Sequence, residues 1–223
     1  MTAIFVYADS DIAFVASDTK REQLGYQTVA NKTVRWSENI VISQTGFGEG
    51  LQRLTGEMMS WQHRDPRMLT GAGIAHAFRQ VAATRRTDEI GRLQHGIAGA
   101  VAGTLVVVEA PRDGTPGVIF TLDWVTEAQT MQPGPVYADG TDQPAFLAIA
   151  QTQFKSLGSG GTGFDLANWG LSCIAESKKH PKSGVAVDWP ADLTICRLDQ
   201  GVPVTLVQRV AAPPAMTHPL FKI

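Results

Sequence analysis

Four residues in the first part of the chain could together perform nucleophilic chemistry on a carbonyl group. Thr2 follows Met1 and precedes Ala3, and a small second residue of this kind favours removal of the first methionine. A hydroxyl is a poor nucleophile until a base takes its proton. A Thr at the chain terminus would supply that base itself, because an α-amino group has an unperturbed pKa of about 7.7–8.

The other three residues could tune such a nucleophile. A nearby Lys ammonium favours the neutral amine, and a carboxylate is needed to hold and balance that Lys. A glycine N–H can stabilise the oxyanion of the intermediate. Asp18 lies 16 residues after Thr2, and Gly46 lies 14 residues after Lys32. If the strands that carry these residues lie side by side, their ends can converge on Thr2.

The first 81 residues predict four strands and then two helices. Asp9-Ser10-Asp11 provides turn chemistry between two apolar, β-rich runs, so the runs form a hairpin. Apolar spacing after Gly46 suits a helix that ends at Asp65-Pro66, and Thr70 can cap a second helix. The predicted strands are residues 3–8, 12–17, 33–36 and 40–45, and the helices are 49–63 and the segment from Thr70 through Val81.

The remainder repeats this order. Predicted strands cover 98–109, 117–122, 124–130 and 136–138, helices cover 143–156 and 164–179, and a last hairpin pairs 192–199 with 203–210. Strands that are joined in hairpins form antiparallel sheets, and the paired helices form layers that pack on those sheets. The sequence therefore predicts an α+β fold, a four-layer α/β/β/α sandwich of two antiparallel sheets flanked by helix pairs. We expect one domain over residues 1–210 and a loosely ordered, Pro-containing tail over 211–223.

Composition excludes several other classes of function. The formal net charge is -2, so no basic excess indicates nucleic-acid binding. The chain has no uninterrupted apolar run of about 18 residues, so we expect no membrane span. The start has no basic n-region or long apolar h-region, which favours a cytoplasmic location. Cys173 and Cys196 lie in apolar runs typical of buried thiols, and the five scattered His have no metal-ligand spacing.

The spacing of Thr2, Asp18, Lys32 and Gly46 resembles that of proteasome β subunits and their bacterial relatives, the HslV peptidase and the Anbu-type homologues. The interval from Asp18 to Lys32 is two residues shorter than usual, which we place in the loop around Gly25. The resemblance covers residues 2 to about 208 and implies the fold of N-terminal-nucleophile hydrolases.

Two later segments extend the resemblance. Tyr137-Ala-Asp-Gly-Thr141, followed by an Ala-rich helix, resembles the family's Gly-Ser-Gly turn, so Thr141 would replace the usual Ser beside the nucleophile. The segment from Lys182 to Leu193 resembles the Anbu signature, with Ser183 in the supporting position. Three residues before that Ser the family often has Asp, whereas this chain has His180, which could hydrogen-bond the active-site amine or a water but differs in charge.

The resemblance implies a threonine-type peptidase that acts on peptide or unfolded-protein substrates without a cofactor. Ala30 and Gln44 would line the pocket for the substrate side chain. Similar proteins form homo-oligomeric rings or open helical stacks, and an unfoldase partner is possible. Two alternatives remain open: a weakly active or inactive assembly subunit, to which His180 points, and an N-terminal-nucleophile amidase that acts on a small metabolite.

Overall fold

The computed structural model describes residues 2–23, 26–29, 31–46, 54–60, 65–94, 103–156, 165–181, 184 and 187–211. These residues form an α+β fold built on two five-stranded antiparallel sheets and an additional two-stranded hairpin. Gly25, Ala30, Ser183 and residues 212–223 of the predicted C-terminal tail lie outside the described residues.

The first sheet joins the two ends of the chain. Its strand order is β10-β1-β2-β11-β12, so β1 and β2 of the first hairpin lie between strands from the second half. The register places Asp18 opposite Ala191, and Ala3 opposite Gly140. The strands are β1 Ala3–Ala8, β2 Ile12–Asp18, β10 Val136–Gly140, β11 Ala191–Asp199 and β12 Val202–Val210.

The second sheet is a meander with the order β5-β6-β7-β8-β9. Its strands are β5 Thr33–Arg35, β6 Ile40–Gly46, β7 Gly103–Glu109, β8 Val118–Asp123 and β9 Gln129–Met131. The separate hairpin pairs β3 Lys20–Gln23 with β4 Tyr26–Val29. It connects β2 of the first sheet to β5 of the second, and so lies in sequence between Asp18 and Lys32.

Helical segments fill the two long intervals between strands. Residues 54–60 form α1, and a short 3-10 helix, Pro66–Leu69, precedes α2 at Gly71–Gln94. The second interval contains α3 at Gln143–Ser156 and α4 at Leu166–Lys179. None of the helices within the described ranges is long and apolar enough to cross a membrane.

Alternation along the strands divides the core into three clusters. Phe5 and Phe14 pack with residues of α3 and α4, including Trp169. Their sequence neighbours Ile4 and Val15 belong to another cluster, which also contains Val41, Val106 and Val108 of the second sheet. The opposite face of the second sheet supplies Ile42, Leu105 and Leu122 to a cluster with Leu54, Ile74 and Phe78 of α1 and α2. Both sheets are therefore apolar on both faces.

Most of the predicted elements are confirmed. Both early hairpins form as predicted, and the Asp9 carboxylate accepts hydrogen bonds from the N–H groups of Asp11 and Ile12 at 2.9 and 2.7 Å, which fixes the first turn. Thr70 caps α2, since its hydroxyl accepts a hydrogen bond from Gly73 N at 3.1 Å. Cys173 and Cys196 are buried free thiols.

Two elements differ from the sequence prediction. The strand predicted at 124–130 is wrong for its first half, because Asp123 accepts hydrogen bonds from the backbone of Val125 and Thr126 and closes a turn. Only Gln129–Met131 is extended there. The β3–β4 hairpin was not predicted, since its residues are largely polar and show no apolar alternation.

Two helical glycines provide a test of how tightly α4 packs on the first sheet. A Cβ at Gly170 would lie 2.6 Å from Ala16 Cβ and 2.9 Å from Phe14, whereas a Cβ at Gly56 in α1 would meet nothing within 4 Å. We expect Gly170→Ala to destabilise the fold by about 1–3 kcal/mol through overpacking. Gly56→Ala should stabilise it by about 0.5–1 kcal/mol through helix propensity.

Urea unfolding of the two variants checks this difference in sign. Stabilisation of the chain by Gly170→Ala to the extent given by Gly56→Ala would show that α4 does not press against β2.

Candidate active site

A buried carboxylate lies at the point where β2 ends. Asp18 is fully buried, and its Oδ1 accepts hydrogen bonds from Ala3 N at 2.7 Å and from Lys32 Nζ at 2.8 Å. Lys32 is 7% exposed. One oxygen therefore connects the backbone beside Thr2 to the ammonium that was predicted to tune it.

Burial dominates the protonation equilibria of this pair. Desolvation raises the pKa of the Asp18 carboxyl, against the opposing attraction of Lys32 and the hydrogen bond from Ala3. Desolvation likewise lowers the pKa of Lys32, against the attraction of Asp18 and, more weakly, Asp192. Within the described part of the chain, Asp18 Oδ2 has no hydrogen-bond partner. Burial thus brings the proton affinities of the two side chains closer together than they are in water.

Thr2 is held in a tight exchange of hydrogen bonds with the turn after β10. Its N–H donates to Thr141 Oγ1 at 3.2 Å, and its carbonyl accepts from Thr141 N at 3.0 Å. Gly140 makes this approach possible: its φ is 142°, and a Cβ there would lie 2.0 Å from the Thr2 carbonyl oxygen. The structure therefore brings Thr141 to the backbone nitrogen that would become the amine.

Gly46 is the last residue of β6 and lies opposite Gly103 of β7. Its φ of 90° is in the region that glycine adopts without strain, which explains the residue type at the strand end. The same strand fixes Lys32 from the other side, because Gln44 N and Ser43 Oγ both donate to the Lys32 carbonyl, at 2.9 and 3.0 Å.

A row of hydroxyl groups connects the two sheets beneath Lys32. Ser17 Oγ of β2 lies 3.2 Å from Thr33 Oγ1 of β5, which in turn lies 3.0 Å from Ser43 Oγ of β6. Sequence reasoning missed these residues. Each of them is adjacent in sequence to a predicted site residue: Asp18, Lys32 or Gln44. That adjacency is the sequence signal that could have indicated them.

A second carboxylate contributes to the electrostatic field at Lys32. Asp192 of β11 is 8% exposed and forms a two-pronged ion pair with Arg209 of β12, with N–O distances of 2.7 and 2.8 Å. Arg209 also donates to Asn31 Oδ1, next to Lys32. Asp192 belongs to the Pro-Ala-Asp-Leu segment, which suggested the family resemblance but not a site residue.

His180 follows α4, at its C-terminal end, near the turn that holds Thr2. Its Nδ1 lies 3.8 Å from Asp142 Oδ2, directly after Thr141, and its backbone carbonyl accepts from Gly184 N at 2.8 Å. Ser183 and Ala30 lie outside the described residues. The part of the chain that the structure covers contains no group of three His, Cys, Asp or Glu side chains that could hold a metal ion.

A cavity of about 150 Å³ opens beside the Asp18–Lys32 pair. Its walls include Lys32, Gln44 and the apolar side chains of Val34, Met59 and Leu105. Gln44 Oε1 is buried and, among the residues with described positions, has no hydrogen-bond partner. Gln44, which the family resemblance assigns to the substrate pocket, is therefore among the residues that line this cavity.

Comparison with solved structures shows a shared fold. A mutant Anbu from Hyphomicrobium sp. strain MC1 is similar with a TM-score of 0.68 at 13% identity, over 95% of this chain and 88% of that one. Anbu, the ancestral beta-subunit, from Yersinia bercovieri gives 0.68 at 14% identity, over 96% and 89%. A second Hyphomicrobium Anbu structure gives 0.66 at 11% identity, over 94% and 88%.

Sequence comparisons add nothing to this likeness: no protein-family model and no curated protein matches the chain. These three neighbours are Anbu structures at 11–14% sequence identity. At that identity, the likeness establishes that this chain has the Anbu fold.

Proposed function

We propose that this chain is an N-terminal-threonine peptidase, with Thr2 as the nucleophile after removal of Met1. One observation carries the proposal: Asp18 Oδ1 binds both the Lys32 ammonium and the N–H of Ala3, the residue after Thr2. The Anbu fold supports this function. We also propose that the chain forms a four-layer α/β/β/α sandwich and one domain over residues 1–210. The division of the core into three clusters supports the layered arrangement.

The first half of the reaction would form an ester. Thr2 Oγ attacks the substrate carbonyl carbon while its proton passes to the Thr2 amine. Lys32, held by Asp18, favours the neutral amine and the developing alkoxide. The Gly46 N–H stabilises the tetrahedral oxyanion. The protonated Thr2 amine then gives its proton to the leaving amine, the C–N bond breaks, and the acyl group remains on Oγ.

The second half would regenerate the enzyme. The Thr2 amine takes a proton from water as the hydroxide attacks the ester carbonyl, and the carboxylic acid leaves as Oγ regains the proton. Thr141 Oγ1, 3.2 Å from Thr2 N, is placed to orient the amine during both transfers. His180 can act on the same region through Asp142.

The cavity beside Lys32 supports a peptide substrate. Apolar walls of Val34, Met59 and Leu105 suit an uncharged, largely apolar side chain on the acyl side of the cleaved bond. Gln44 is a polar residue in the lining of this cavity, and the family resemblance implies that Ala30 also contributes to the substrate pocket. A peptide or an unfolded protein is therefore the substrate class that we favour.

We further propose a cytoplasmic, self-compartmentalised homo-oligomer, in a ring or a helical stack, which an unfoldase could serve. Native mass spectrometry separates this from the alternatives. A large multimer whose Thr2 is unreactive would indicate an inactive assembly subunit, to which His180 points. A monomer or dimer that hydrolyses a small amide would indicate a metabolite amidase.

Covalent labelling tests the nucleophile. We expect the intact mass of the purified chain to lack Met1 and to increase by one equivalent of a Thr-directed β-lactone, because a free Thr2 hydroxyl should open the lactone and form an ester. Thr2→Ala should show no increase. Intact-mass spectrometry makes both measurements, and full retention of Met1 in the natural chain would rule out this mechanism.

The buried Asp18–Lys32 pair should also affect the stability of the fold. Lys32→Met should abolish peptide hydrolysis and destabilise the fold by about 3–5 kcal/mol, since it leaves the Asp18 carboxylate buried without its cation. Adding Asp18→Asn should restore much of the stability, because an uncharged amide can still accept from Ala3 N–H, but none of the activity. Urea unfolding and a fluorogenic peptide assay give the two readouts.

The exposed pair Lys178–Asp188 offers a matched control. Lys178→Met should cost no more than about 1 kcal/mol and leave hydrolysis unchanged. Return of activity in the Asp18→Asn, Lys32→Met double variant would show that the pair serves folding alone.

A further inference from the structure

We infer that Asp139 is a positioning residue, which sets the Gly46 oxyanion donor against Thr2 by hydrogen-bonding the segments that carry them. This inference rests on the proposed function, because it assigns a role in that same reaction. Asp139 was not among the residues that the sequence predicted for the site.

The Asp139 carboxyl divides its two oxygens between the two sides of the site. Oδ2 accepts from Thr45 Oγ1 at 3.1 Å, and Thr45 immediately precedes Gly46. Oδ1 accepts from Gly140 N at 2.7 Å, and Gly140 immediately precedes Thr141. A single side chain thus contacts Thr45, the residue before Gly46, and Gly140, the residue before Thr141.

The contact crosses from one sheet to the other. Asp139 lies on β10, the edge strand of the first sheet, whereas Thr45 lies on β6 of the second sheet. The backbone hydrogen bonds of β10 go to β1 and those of β6 go to β5 and β7, so neither ladder fixes the two strands relative to each other. The side-chain bond between Asp139 and Thr45 provides a fixed distance between them.

The Thr2 side of this contact has little freedom. Ala3 is paired with Gly140 in the register of β1 and β10, and the Thr2 carbonyl occupies the space in which a Gly140 Cβ would lie. Thr141 then exchanges two hydrogen bonds with Thr2. Any shift of Asp139 would therefore be transmitted to Thr2 through a rigid turn.

Burial of the Asp139 carboxyl group costs free energy. Asp139 is 9% exposed and Thr45 is 6% exposed, and desolvation raises the pKa of the Asp139 carboxyl. A leucine would fill a similar volume without desolvating a carboxyl group. A carboxyl group at this position can instead hold the Gly46 donor in place through its hydrogen bonds. Such donors must be held within about 0.5 Å of the productive geometry.

Three variants test the inference by steady-state kinetics. We expect Asp139→Leu to lower kcat on a fluorogenic peptide about 100-fold with little change in KM, since a displacement of about 1 Å costs that much in rate. Thr45→Val, which cuts the same contact from the other strand, should lower kcat similarly. The double variant should be no slower than Asp139→Leu alone, because Asp139→Leu already removes the contact that Thr45→Val removes.

Asp139→Asn is the conservative control. Its amide can accept from Gly140 N–H through Oδ1 and donate to Thr45 Oγ1 through Nδ2, so kcat should stay close to that of the natural chain. An Asn variant as slow as the Leu variant would show that the charge of Asp139 matters and not its bridging geometry, and would overturn the inference. Full kcat in Asp139→Leu or in Thr45→Val would overturn it as well.

The backbone amide signal of Gly46 in ¹⁵N NMR separates this inference from the proposed function. Asp139→Leu and Thr45→Val should move the Gly46 signal, and Asp139→Asn should leave it in place. If the natural chain hydrolyses no peptide, the proposed function fails and the Gly46 signal still reports whether Asp139 positions that donor. If the chain is active and the Gly46 signal does not move in Asp139→Leu, the positioning inference alone fails.

Discussion

Burial of the Asp18 carboxylate is the constraint on which the rest of the site depends. A carboxylate removed from water must be compensated by hydrogen bonds and by an opposite charge. Asp18 obtains both on one oxygen, from Ala3 N–H and from Lys32. Because these partners come from β1 and from the residue that precedes β5, the compensation requires the first and second sheets to meet at this point.

The second half of the chain completes the arrangement that the first half begins. β10 pairs with β1 and brings Gly140 and Thr141 to Thr2, while β11 pairs with β2 and brings Asp192 toward Lys32. The hydroxyl row from Ser17 to Ser43 and the contact between Asp139 and Thr45 also join the two sheets. The site is thus a junction of two sheets whose strands come from distant parts of the sequence.

Local signals explain which parts could be predicted from the sequence. Turn chemistry at Asp9, the cap at Thr70 and apolar alternation are properties of short segments, and the elements that they define agree with the structure. The strand predicted at 124–130 failed because Asp123 binds the backbone of the next residues and turns the chain, which an apolar count does not register. Asp139 and Asp192 were missed as site residues because their partners Thr45 and Lys32 are far away in sequence.

The proposed mechanism requires the Thr2 amine to act as a base that the Asp18–Lys32 pair tunes. A ¹⁵N NMR titration of the Thr2 nitrogen measures whether that amine exists and where it titrates. We expect a free α-amino signal that titrates below its ordinary pKa of about 7.7–8, because the nearby Lys32 ammonium favours the neutral amine. A Thr2 nitrogen that remains an amide, or an amine with the ordinary pKa, would be incompatible with this role of Thr2.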